Sequence, residues 1–201
     1  MKYTINREQG FIVIFIIFIL GIILKMYLDS DFFQLKCILS NVDGNKYCVR
    51  DRSKAHLVAD ILAKTSNKMV ILVEHLKEKY PNRDNIKRLT TRFNPKKITE
   101  TLPTSKFTAY SQNKGEKIAF CVTTEKDNDN LIDENTLMFV AMHEMSHIFT
   151  KSIGHTEEFW TNFKFLIENA VEINIYKPEN YKNDTKRFCG MDITDNPYYD
   201  I

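Results

Sequence analysis

His143-Glu144-Met145-Ser146-His147 is the stretch whose reading decides the fold of this 201-residue chain. Residues four apart on a helix lie one turn above each other, so the two imidazoles can hold one small divalent metal. Glu144 lies between them, close enough to take a proton from a water that such a metal activates. The run before it, Leu137-Met138-Phe139-Val140-Ala141-Met142, is apolar nearly all round, so the helix is expected to be buried. A buried helix carrying two imidazoles and a carboxylate needs partners for them, and a metal satisfies all three. Eight residues past His147, Gly154-His155 offers a third ligand after a reversal that the glycine permits. Glu157 or Glu158 could supply that ligand instead, since such sites take either a His or a carboxylate there. His56 and His75 stand alone and read as surface or satisfied core residues.

Working outward, the helix is expected over 134–151, capped by Asp133 after a polar loop at 125–130. Upstream, the apolar period is two over 106–111 and 117–124, and Asn113-Lys114-Gly115 between them signals a hairpin turn. In the second of these strands Ile118, Phe120 and Val122 face one way, Ala119 and Cys121 the other. That strand lies just before the motif helix in sequence. It either offers a free edge to an extended peptide or lies inside the sheet. Farther upstream, Val58, Leu62, Thr65, Met69, Leu72, Leu76 and Tyr80 recur at helical steps until Pro81, with Asp51 or Ser53 as the cap. A short helix at 84–93 ends before Asn94-Pro95. Downstream, Thr156 caps a last long helix whose stripe is Phe159, Phe163, Leu166 and Ala170, with Glu157 and Glu158 at its dipole's positive end.

The N-terminal end reads differently. Residues 1–9 form a polar leader, and from Gly10 to Leu24 no side chain is polar. With Lys25 snorkelling, residues 10–28 make roughly 28 Å of helix at about 1.5 Å per residue, enough to span a bilayer core. No small-x-small cleavage site follows, so an uncleaved anchor is expected rather than a signal peptide. Lys2 and Arg7 before it, against Lys25 and then Asp29 and Asp31 after it, favour a cytoplasmic N-terminus. The rest of the chain then lies on the outer or lumenal side. Residues 29–52 read as a juxtamembrane segment with a turn at Asp43-Gly44-Asn45 and short strands around it, and 53–201 as one folded domain.

A formal charge of +2 gives no global pull toward nucleic acid. Eight Lys or Arg lie between Lys77 and Lys97 against two acids, which reads as a solvated helical face. Cys37, Cys48, Cys121 and Cys189 show no C-x-x-C spacing, arguing against a structural zinc knuckle. They allow three disulfide pairings, or stay as buried thiols. An outer or lumenal location would permit disulfides, and would make Asn183-Asp184-Thr185 a glycosylation acceptor.

Two strands, an H-E-x-x-H helix and a third His opening another helix together resemble the zincin metallopeptidases. Within these, His143 to His147 followed by Gly154-His155 and Glu158-Phe159-Trp160 is similar to the WLM and SprT-like proteases. The stretch from about Lys54 to Tyr199 also resembles uncharacterised WLM-like metallopeptidases of large DNA viruses. The resemblance implies an α+β, zincin-like domain with a small antiparallel sheet. It also implies zinc held by His143, His147 and His155, with Glu144 as catalytic base, and a protein or peptide substrate. The seven-residue spacer before His155 is longer than the five of the metzincins, so Met191 is expected to pack in the core rather than beneath the metal. Tyr110, Tyr181, Tyr198 and Tyr199 are all open as oxyanion donors. The alternative reading is a membrane-anchored structural or interaction protein that keeps zinc for stability alone.

Overall fold

The computed structural model describes residues 7–28 and 34–200. Helix α1, Arg7–Leu28, is 22 residues long, and its apolar side chains from Phe11 to Leu28 are almost all exposed. At roughly 33 Å it matches a bilayer's hydrocarbon core, and it is the one described helix long and apolar enough to cross a membrane.

The rest is built on a five-stranded sheet of β1 (Leu35–Leu39), β2 (Lys46–Arg50), β3 (Ile98–Glu100), β4 (Ala109–Gln112) and β5 (Lys117–Phe120), in the order β1-β2-β3-β5-β4. The hairpin signals lead one to expect an antiparallel sheet, and the sheet is mixed. β1–β2 and β4–β5 are antiparallel hairpins, but β2–β3 and β3–β5 run parallel. A parallel neighbour needs a long crossover. Here it is supplied by helices α2 (Ala55–Lys79) and α3 (Asp84–Arg92), which separate β2 from β3 in sequence. Residues 29–52, read above as a juxtamembrane segment, thus contribute two strands to the sheet. Glu100, 1% exposed, locks them in. It accepts the Arg50 backbone N–H at 2.8 Å and pairs with the Arg52 guanidinium.

β5 is interior, with β3 on one side and β4 on the other; β1 and β4 are the two edge strands of the sheet. Both faces of β5 are covered, so Ile118, Ala119 and Phe120 are all buried. Helix α4 (Glu134–Phe149) starts at Asp133, which accepts the Thr136 N–H at 2.8 Å. It packs against α2, α3, α5 (Glu157–Glu172) and β4, which explains why it is apolar nearly all round. The buried stripe of α2 is the one its sequence period indicates, but the helix begins after Lys54 with no side-chain cap from Asp51 or Ser53.

Two disulfides close the fold. Cys37–Cys48 joins directly opposed residues of β1 and β2, and Cys121–Cys189 ties the chain after β5 to a C-terminal hairpin, β6 (Lys186–Phe188) and β7 (Met191–Ile193). Met191 opens β7 and is 48% exposed, so it lies outside the core in which it was expected.

Candidate metal centre

His143 and His147 project from one face of α4 and are only half-buried, where the helix faces a cleft. The chain leaves α4 at Thr150, turns through Gly154 at φ +83° and delivers exposed His155 just before the Thr156 cap of α5. The His155 Nε2 lies 3.0 Å from that of His143 and 3.2 Å from that of His147. One ligand atom from each His lies within 4.8 Å of the others. Glu157 and Glu158 are not in this group. Glu158 instead accepts the backbone N–H groups of Lys151 and Ser152, each at 3.1 Å.

This donor set fits zinc. Four ligands at 2.0–2.1 Å in a tetrahedron stand about 3.3 Å apart, close to the two short separations here. One proton on His155 Nε2 can serve only one of its two contacts, leaving lone pairs facing in the other, so a shared cation suits the cluster. Burial, together with the neighbouring imidazoles, pushes the His143 pKa down to about 3; burial pushes that of His147 down to about 4. Both are therefore neutral and ready to donate lone pairs. Beneath them lies Phe159, fully buried, its ring centroid 4.9, 4.5 and 4.7 Å from those of His143, His147 and His155. Phe159, quoted in the sequence as part of the motif after His155 and of the apolar stripe of this helix, thus forms an aromatic floor to the site.

Glu144 is 5% exposed, and burial drives its pKa up to about 8, offset only in part by the nearby Ser111 backbone on β4. The cleft over these groups holds about 770 Å³. Its walls are largely apolar, with Phe107, Ile153, Trp160 and Met191 exposed along it. Of the four tyrosines, Tyr110 lines the cleft. Tyr181 is fully buried with its hydroxyl near that of Tyr176, Tyr199 donates to the Pro178 carbonyl, and Tyr198 packs edge-on against Tyr199. His56 and His75 sit on α2, outside the cluster.

Residues 54–199 match the family model described as the WLM domain. Similar chains include an uncharacterised protein of Acanthamoeba polyphaga mimivirus, 31% identical over 78% of this chain and 81% of that one. Another is an uncharacterised protein of Invertebrate iridescent virus 3, 35% identical over 41% of this chain and 50% of its own. Among solved structures, Wss1 from Saccharomyces cerevisiae aligns with a TM-score of 0.49 at 16% identity, over 63% of this chain and 88% of that one.

Proposed function

This chain belongs to the WLM-domain family, and from that premise we propose that it is a membrane-anchored, zinc-dependent metallopeptidase acting on protein or peptide substrates. The observation that carries the reading is the meeting of three imidazoles beside a buried carboxylate at the floor of an open cleft. His143, His147 and His155 are the ligands on this reading. Zinc bound there supplies Lewis acidity toward a water and a carbonyl, and a positive charge that favours the ionised form of Glu144.

The chain's own groups do the rest. Glu144 accepts the proton of a water entering the cleft and passes it to the leaving amine. Glu144 is buried at 5% exposure, which holds the base within the cleft floor rather than in solvent. β4 ends the sheet, and its unpaired edge beside Glu144 can pair with an extended peptide as an added strand. Apolar walls then favour bulky apolar side chains near the scissile bond. Tyr110, on the same strand, is the oxyanion donor this geometry favours. Three protein ligands facing a cleft suit catalysis better than a zinc kept for stability, which is normally closed by four. The length and exposure of α1 support an anchor, and the two disulfides support an outer or lumenal location.

The test is Glu144→Gln in the detergent-solubilised full chain. Zinc content and melting temperature should match the parent while hydrolysis of an unstructured protein substrate falls by at least about 100-fold, the usual contribution of a general base. Equal hydrolysis by both forms would remove the mechanism.

A further inference from the structure

The segment joining the two halves of the metal cluster is short, exposed and irregular, yet its backbone is tightly engaged. Residues 151–156 are exposed or half-exposed, so apolar burial does not hold His155 in place. Instead, side chains reach in from two other elements. From the tip of the β4–β5 hairpin, the Lys114 ammonium donates to the Thr150, Lys151 and Ser152 carbonyls at 2.8, 2.9 and 3.1 Å. From the first turn of α5, the Glu158 carboxylate accepts the Lys151 and Ser152 N–H groups at 3.1 Å each. These two residues bind opposite sides of the same peptide units, one taking the carbonyls and the other the amides. Charged partners make the stronger class of hydrogen bond, and Lys114 spends all three of its N–H donors here.

We infer that Lys114 and Glu158 are positioning residues: together they clamp residues 150–152 so that His155 stays within ligand distance of His143 and His147. The inference rests on the proposed metal centre and extends it to two residues that touch no ligand atom. Its physical basis is entropy. A glycine-containing exposed loop visits many conformations, and freezing each residue carries an entropy cost that metal binding would otherwise have to supply. The clamp meets that cost before the metal arrives. It also joins the hairpin bearing β4 to the loop bearing His155, so both walls of the cleft share one brace.

The experiment compares the full chain in detergent with Lys114→Met, Glu158→Ala and the milder Glu158→Gln. Zinc affinity is read by chelator competition, the ligand field by the visible spectrum of the Co2+ form, and loop order by hydrogen–deuterium exchange of residues 150–156 in metal-free protein. Lys114→Met and Glu158→Ala should each weaken zinc by about 10-fold or more, as loss of supporting hydrogen bonds does elsewhere. Glu158→Gln, which keeps one acceptor oxygen, should fall between. Exchange should quicken at 150–156 and stay unchanged across α4, which a merely global loss of stability would not give. Unchanged zinc affinity or unchanged exchange in Lys114→Met overturns the clamp. So does a loss confined to the Glu158 variants, which would make Glu158 a ligand. If the parent chain holds no zinc, the proposed function fails, while faster exchange in the variants still supports the clamp and unaltered exchange still overturns it.

Discussion

Helix α4 and the loop that follows it both carry imidazoles to one point, and they hold them by opposite means. In α4, His143 and His147 ride on a rod whose other faces are buried: Met142, Met145 and Ile148 are each fully enclosed. Their spacing is set by helix geometry, and each buried Met or Ile contributes about 2 kcal/mol toward keeping the rod in place. In the loop, Ile153 is 88% exposed and contributes no such anchoring. Geometry there depends on polar reach from Lys114 and Glu158. A position fixed by burial fails only with the fold, whereas one fixed by a few hydrogen bonds can fail alone.

The largest effect tests that contrast directly. His143→Ala and His147→Ala should abolish stoichiometric zinc in elemental analysis, since either breaks the pair of imidazoles that the helix holds in register. His155→Ala should leave weak, chelator-labile binding, because the two helix-borne ligands stay in register without it. Full zinc in the His143 or His147 variants would mean that the cluster is not the site. Equal loss in all three would erase the difference between helix and loop.

What the sequence showed divides along the same line. The bounds of α4, its Asp133 cap, the Thr156 cap and the Asn113-Lys114-Gly115 turn all follow from patterns within a few residues, and all are present. The gathering of three imidazoles was legible because two are local to one helix and the third follows eight residues on. The parallel pairing of β2 with β3 was not, for Cys48 meets Thr99 across two helices that no local period can see past. The interior place of β5 follows from its own parallel pairing with β3, which is equally non-local and was equally hidden. Lys114 was visible only as part of a turn signal, because its carbonyl partners lie 36 to 38 positions away. The cysteines gave three pairings on paper, and only the sheet register places Cys37 opposite Cys48.

A smaller effect should come from Gly115, beside the clamp. It adopts φ +112°, and a Cβ there would meet the Arg92 carbonyl oxygen at 2.7 Å and the Ile148 side chain at 3.1 Å. Gly115→Ala should cost about 2–3 kcal/mol from backbone strain and overpacking. The backbone oxygen cannot yield, so the hairpin tip must move and carry Lys114 away from its carbonyls. Denaturant unfolding should show the lost stability, and chelator competition should show weaker zinc. A destabilised variant with parental zinc affinity would mean that the loop does not depend on the tip.

The smallest effect separates the two regions most cleanly, because it compares two helix caps of similar strength. Asp133 accepts the Thr136 N–H at 2.8 Å at the start of α4, and Thr156 accepts the Phe159 N–H at 3.3 Å at the start of α5. Replacing either by Ala removes one cap and should cost about 1 kcal/mol in denaturant unfolding. Their surroundings differ. Asp133 lies ten residues before His143, at the far end of a buried helix, so α4 can fray there without shifting its imidazoles. Thr156 adjoins His155, and its hydroxyl also meets that of Ser152 at 2.7 Å, inside the clamped loop. Asp133→Ala should therefore lose stability and keep the parent's zinc affinity, while Thr156→Ala should lose similar stability and weaken zinc several-fold. If the two variants lose zinc alike, affinity follows global stability, and the loop has no separate hold on His155.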